Sequence, residues 1–89
     1  MNTATPLKTL DHWTGEAVLY RLDPPLPDSG AYVVVSATYA LFSGPETYIF
    51  TANADGDVTD WVEHPGSFRG GLDHEKALRG LGYTISRVA

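Results

Sequence analysis

Cysteine is absent from this chain of 89 residues. Its absence excludes a disulfide framework, a zinc site built on thiolates and a cysteine nucleophile. Long apolar runs are also missing, because the most apolar stretch, Ala31 to Phe42, is much shorter than the roughly 20 residues of a membrane helix. The first residues, up to Trp13, lack the apolar core of a secretory signal. These absences predict a cytoplasmic protein that does not contact a membrane.

Basic residues are scarce in the middle of the chain. Neither Lys nor Arg occurs between Leu22 and Phe68, whereas seven of the 11 acidic residues lie there, and the net charge is −5. A negative field repels phosphates, so direct binding to nucleic acid is not expected. The same field suits a basic protein partner, or an acidic mimic that blocks a nucleic-acid-binding protein, although it can also serve solubility alone.

The length allows one hydrophobic core and predicts a single folded domain. Residues 1–15 show no sustained periodicity and are interrupted by Thr3, Pro6 and Gly15. We therefore expect an irregular or frayed segment over residues 1–15. Residues 16–89 are expected to form the α+β domain.

Alternating and β-branched residues predict five strands. They are Glu16–Leu22, Ala31–Phe42, Glu46–Asn53, Asp57–Glu63 and Tyr83–Val88. The second strand is apolar on both faces, which is typical of a central strand. Asn53 to Gly56 predicts a hairpin turn, and the strand after it is expected at the sheet edge. The segments Leu22–Gly30 and His64–Gly71 are rich in proline or glycine and are expected to be loops.

One short helix is predicted before the last strand, from His74 to about Leu81. Asp73 is a good N-cap, and Gly82 suits the left-handed position after a helix. Leu78 and Leu81 lie on an apolar stripe that can pack on the sheet. The predicted fold is therefore α+β, a small antiparallel sheet in the order β-β-β-β-α-β with one short helix packed on it.

One core is expected beneath this helix. Its predicted members are Val33, Val35, Tyr39, Ile49, Leu78 and Leu81. A single short helix cannot cover both apolar faces of the central strand, so a homodimer that buries the second face is a further expectation.

The acidic turn around Gly56 resembles the centre of a calcium-binding loop. Thr51 and Val62, however, stand where such a loop needs its two anchoring carboxylates. A structural calcium ion is therefore not expected, and an acidic hairpin turn explains the pattern.

No arrangement of side chains in the chain matches a catalytic template. His12, His64 and His74 show no spacing typical of metal ligands. A small hydrolase using Ser67 with His64 or His74 remains an alternative, although a nucleophile elbow and an oxyanion hole are not evident. We predict no catalytic residue, no metal and no cofactor.

Trp61, Phe68 and Arg69 are the candidate binding residues. Phe68 and Arg69 lie in a glycine-rich loop that offers them few contacts of its own, and Trp, Tyr and Arg dominate interface energetics. Two other interpretations stay open: a flexible connector, or a Phe68 side chain that folds inward and closes the core. Three further aromatic residues could extend a surface on the hairpin: Tyr32, Tyr48 and Phe50.

The strings FSGPETYIF, GSFRGGLDHEKAL and RGLGY resemble small uncharacterised proteins of mycobacteriophages and related actinobacteriophages. The similarity covers about residues 32–83, and SGPETYIF and GLDHEKAL are its most specific parts. The resemblance implies an accessory role in the cytoplasm of the host cell and brings no catalytic residue with it. The function expected from sequence is a non-enzymatic accessory protein that binds a host or phage protein. An acidic mimic and a small hydrolase are the alternatives.

Overall fold

A computed structural model of the chain describes residues 2–10, 15–27, 30–40, 44–61, 64 and 66–86. Within these ranges the chain forms seven strands and one helix. In chain order they are β1 (Thr3–Thr9), β2 (Glu16–Leu26), β3 (Gly30–Ala40), β4 (Gly44–Ala52), β5 (Val58–Asp60), β6 (Phe68–Arg69), α1 (His74–Leu81) and β7 (Thr84–Ile85). No helix in the described part of the chain is long and apolar enough to cross a membrane.

All seven strands belong to one sheet in the order β5-β4-β3-β2-β1-β7, and β6 also pairs with β4. The pairings are antiparallel except for β1 with β7, which is parallel. The predicted α+β class is confirmed, with a mixed and mostly antiparallel sheet. The predicted central strand is confirmed as β3, and the predicted edge strand as β5.

The expectation of an irregular segment over residues 1–15 is wrong for residues 3–9, which form β1. The strand was not predicted because Pro6 lies within it, and proline lacks the N–H group that donates a hydrogen bond to a neighbouring strand. The structure accommodates Pro6 because β7 pairs only with Thr3 and Ala4, and a register shift follows between Pro6 and Lys8. The sheet therefore begins well before residue 16.

Two segments predicted as loops are partly strand. β2 continues through Pro24 and Pro25 to Leu26, and its register against β3 shifts between Arg21 and Leu26. The segment His64–Gly71 contains the two-residue strand β6. Both departures have the same cause, because pairing with a neighbouring strand overrides the local preference of proline and glycine for turns.

The first hydrophobic cluster lies between the sheet and α1, on the surface that we call the helix face. Its buried members include Val33, Val35, Ile49 and Leu78, and Leu81 packs against them, as predicted. The prediction was wrong for Tyr39, whose exposed fraction is 71%. Tyr39 points to the same face of the sheet as Val33 and Val35. It lies near the end of β3, however, and its side chain is exposed there.

The second hydrophobic cluster lies on the opposite surface, the outer face. Its buried members are Leu10, Ala17, Leu19, Val34 and Ala52. The turn after β4 reaches over this cluster, since a Cβ on Gly56 would stand 3.0 Å from Cδ2 of Leu10. On the second face of β3, Val34 and Ser36 are therefore buried within one chain, and the homodimer expected on this face stays a prediction.

The predicted turn and helix caps are confirmed. Gly56 has a φ of +92°, and the side-chain oxygen of Asn53 accepts hydrogen bonds from the backbone N–H groups of Asp55 and Asp57 at 2.9 and 3.1 Å. Asp73 accepts from the N–H of Lys76 at 3.1 Å. Gly82, with a φ of +102°, ends the helix in the left-handed conformation.

Candidate functional site

The strand β6 divides the predicted binding residues between two faces of the sheet. Phe68 lies opposite Thr47 and Arg69 lies opposite Glu46 on β4. Because successive side chains of a strand point to opposite faces, Phe68 turns to the helix face and Arg69 to the outer face. The two neighbours in sequence therefore belong to two different environments.

Phe68 is half-buried and packs against the first hydrophobic cluster. The ammonium group of Lys76, on α1, lies 4.6 Å from the centre of its ring, within the range of a cation–π contact. The structure therefore supports the interpretation in which Phe68 folds inward. The loop itself was expected to offer this side chain few contacts, and its contacts come from the first hydrophobic cluster and α1 instead.

Arg69 is fastened to β4 through its Nε atom. Nε donates to Oε2 of Glu46 at 2.9 Å and lies 3.4 Å from the hydroxyl of Tyr48. The exposed fraction of the side chain is 68% for Arg69 and 8% for Glu46. Hydrogen bonds to Tyr48 and Glu46, together with the charge of Glu46, raise the pKa of Arg69. The result is an oriented guanidinium group that still faces solvent.

Three aromatic side chains continue from Arg69 along the outer face, and we call them the aromatic ridge: Tyr48, Phe50 and Trp61. The rings of Tyr48 and Phe50 are stacked with their centres 6.0 Å apart. The ring of Trp61 meets Phe50 edge to face at 5.2 Å. Trp61 is nevertheless 64% exposed. The ridge therefore ends on a supported but accessible indole, with Arg69 at its other end.

The other aromatic residue considered for this surface, Tyr32, does not join the ridge. It packs against the second hydrophobic cluster. Tyr48 and Phe50 thus connect Trp61 and Arg69, which the sequence singled out. Phe68 lies on the helix face, and Tyr32 lies on the outer face against the second hydrophobic cluster.

The glycine-rich segment before α1 is held against β4 by hydrogen bonds. The hydroxyl of Thr47 donates to the carbonyl of Gly71 at 2.8 Å and accepts from the N–H of Asp73 at 3.2 Å. Ser67 accepts from the N–H of Ile49 at 3.0 Å. These hydrogen bonds hold the segment against β4 and so position β6 and the start of α1.

The side chains considered for a hydrolase take part in structural contacts. The Oγ of Ser67 is bonded to the backbone of Ile49. Nε2 of His64 lies 2.6 Å from Oγ1 of Thr51. These contacts join Ser67 and His64 to β4, whereas the third candidate, His74, contacts β2. Among the residues that the structure describes, no three His, Cys, Asp or Glu side chains are grouped so that they could hold a metal.

His74 connects the start of α1 to β2. Its Nδ1 lies 3.1 Å from the hydroxyl of Tyr20, and its Nε2 lies 3.3 Å from the carbonyl oxygen of Glu16. A carbonyl can only accept, so Nε2 carries the proton, and in the neutral ring Nδ1 accepts from Tyr20. Burial lowers the pKa of His74, and the nearby Glu16 and Asp73 oppose this effect.

An open cleft of about 500 Å³ lies beside His74. It is bounded by the start of β2, the end of β3 and the first residues of α1. Its lining includes Tyr39 and Leu72, which are both exposed, and the acidic residues Glu16, Asp73 and Glu75. The described lining shares no residue with the aromatic ridge, although Thr38 of the lining lies opposite Glu46 on β4.

Sequence reasoning did not find Glu46 or Thr47 as determinants of these surfaces. Glu46 pairs with Arg69 only because β6 lies beside β4. A strand of two residues is too short to show a periodic pattern, so β6 could not be predicted. Thr47 is fully buried, and the alternation of β4 could have placed it on the helix face. The hydrogen bonds that it makes depend on where the loop returns.

Comparison of the chain with protein-family models, with curated proteins and with solved structures finds no match in any of the three.

Proposed function

We propose that the protein is a non-enzymatic binding domain that recognises a partner protein through the aromatic ridge and Arg69. The observation that carries this proposal is the exposure of Trp61 together with its support by Phe50. Large aromatic side chains dominate protein interfaces, and a side chain that is already oriented loses less entropy on binding. The resemblance to actinobacteriophage proteins extends the proposal to an accessory role in the host cytoplasm, with a host or phage protein as the partner.

The two ends of the ridge suit different groups of a partner. Trp61 offers an apolar ring face to an apolar or aromatic side chain. Arg69 offers a guanidinium group whose direction is fixed by Glu46, and arginine forms directional bonds to carboxylates and carbonyls. A partner that contacts both ends must therefore carry an apolar residue and an acceptor at the spacing set by Tyr48 and Phe50.

The structural roles of Ser67, His64 and His74 support a binding function over a hydrolytic one. Each side chain is engaged by another part of the sheet. A nucleophile needs a neighbouring base that can accept its proton, whereas the contact made by Ser67 is with a backbone N–H.

Affinity capture tests this function. Tagged wild-type protein is incubated with a mycobacterial lysate, and the captured proteins are identified by mass spectrometry. Trp61→Ala and Leu7→Ala are tested in parallel, because both remove an exposed large hydrophobic side chain and only Trp61 belongs to the ridge. A specific protein should be captured by wild type and Leu7→Ala and lost with Trp61→Ala. Capture that is equal for all three proteins contradicts the proposal.

A salt series on the captured complex separates the proposal from acidic mimicry. Binding through aromatic contacts should weaken little as salt rises. Binding of a basic nucleic-acid site by an acidic surface should weaken steeply, because salt screens charges that remain near solvent. A steep loss would favour the mimic.

A further inference from the structure

A second surface lies in the open cleft beside His74, whose described lining includes no residue of the aromatic ridge. Residues of β2, β3 and β7 and the start of α1 line it. The first residues of β2 pair with the end of β3, where Glu16 lies opposite Ala37, and the residues from Leu72 to Glu75 complete the cleft. The hydrogen bonds of His74 to Tyr20 and Glu16 fix the helix against β2. The cleft is therefore formed before any ligand enters.

Among the residues that the structure describes, the charged side chains that line the cleft are acidic. They are Glu16, Asp73 and Glu75, and no described lining residue is a lysine or an arginine. His74 is neutral when Nε2 donates to the Glu16 carbonyl and Nδ1 accepts from Tyr20. The cleft thus has the polarity to receive a cation and to repel a phosphate.

Apolar groups stand next to these carboxylates. Tyr39 and Leu72 are two of the four large hydrophobic side chains that are exposed among the described residues, and both line the cleft. Tyrosine can place its ring face against a cation, and an aliphatic side chain can pack against the methylene stem of lysine or arginine. The combination fits a long cationic side chain better than a small hydrated ion.

We propose that this cleft binds an arginine or lysine side chain that projects from a partner protein. The methylene stem would lie between Tyr39 and Leu72, and the charged head would meet the acidic groups led by Glu16. The cleft is open, which suits a side chain carried on another chain. This site goes beyond the ridge and does not depend on the ridge being functional.

The test uses a capped Gly-Arg-Gly tripeptide as the probe, titrated into isotope-labelled protein and followed by NMR. The amide signals of Glu16, Tyr39 and His74 should shift in a saturable way. The matched control is the same tripeptide with citrulline in place of arginine, which keeps the shape and removes the charge. We expect citrulline to bind at least about fivefold more weakly, since it loses the cation–π contact and the ion pairs.

Variants locate the site. Tyr39→Ala and Glu16→Gln should each weaken binding of the arginine tripeptide by about threefold, and together by about tenfold, as exposed contacts of this kind allow. Glu16→Gln leaves the carbonyl that His74 contacts in place. Trp61→Ala should leave the affinity unchanged. Absence of saturable shifts, equal binding of citrulline, unchanged affinity in the double variant, or shifts centred on Trp61 would each overturn the proposal.

Discussion

Glu46 and Arg69 face each other across β4 and β6 and form an ion pair of 2.9 Å on the outer face of the sheet. This pair fixes the end of the aromatic ridge. Because the carboxylate of Glu46 is nearly buried, replacing Arg69 removes a partner from a buried charge as well as a group from the surface. Variants of Trp61 therefore test binding more cleanly than variants of Arg69.

The docking of α1 is tested by Leu78→Ala. Leu78 is fully buried in the first hydrophobic cluster, so we expect its truncation to lower the free energy of unfolding by about 2–4 kcal/mol. Leu72→Ala is the matched control, because Leu72 is exposed and its loss should change stability by about 0.5 kcal/mol or less. Chemical denaturation measures both. Equal effects of the two substitutions would show that α1 does not pack as described.

Thr47→Val tests whether hydrogen bonds from Thr47 hold the segment before α1 against β4. The substitution preserves shape but removes the hydroxyl that bonds to Gly71 and Asp73. Losing these contacts should lower the free energy of unfolding by about 1–3 kcal/mol. The exposed Thr59, whose hydroxyl makes one long contact of 3.5 Å, provides the control as Thr59→Val. A stability of Thr47→Val equal to that of wild type would contradict the proposed role.

The N-cap of α1 is tested at Asp73. Its side chain accepts from the N–H of Lys76, so Asp73→Ala should lower the free energy of unfolding by about 1 kcal/mol. Asp73→Ser should be tolerated, because serine also accepts at this position. Equal losses for alanine and serine, measured by denaturation, would mean that the charge of Asp73 matters more than the cap.

Stability should fall as the pH falls below neutrality, and His74 should contribute to the change. Burial lowers the pKa of His74 below its ordinary value of 6.5. The unfolded chain then binds the proton more tightly than the folded chain, so this contribution is present above pH 6.5 and is lost as the pH falls through the folded pKa. His74→Gln should flatten the dependence between pH 7.5 and 5.5. An unchanged slope in that variant would contradict the effect.

Local rules predicted those parts of the fold that depend on one segment. The caps at Asp73 and Gly82 and the turn at Asn53–Gly56 follow from backbone preferences that need no distant partner. β1 and β6 could not be predicted in this way, because Pro6 and the glycines that flank β6 disfavour a strand locally, and both strands form through pairing with a neighbour.

The candidate site was predictable only in part for a related reason. Trp61 and Arg69 were found because aromatic and basic side chains are conspicuous in an acidic, glycine-rich region. Their separation from Phe68 depends on the alternation within β6, which becomes meaningful only once that strand is paired with β4. Tyr39 was wrongly predicted to lie in the core. The alternation of side chains along β3 predicts which face of the sheet Tyr39 points to, but it does not predict how far the helix covers that face.

The most direct test of the central claim compares Trp61→Ala with Phe68→Ala for both affinity and stability. Trp61→Ala should weaken binding of the captured partner at least about thirtyfold, which corresponds to about 2 kcal/mol for an interface anchor, with a nearly unchanged unfolding midpoint. Phe68→Ala should lower the free energy of unfolding by about 2 kcal/mol or more through the first cluster, while the folded fraction still binds. Full affinity in Trp61→Ala, or a stable Phe68→Ala that has lost binding, would contradict the account.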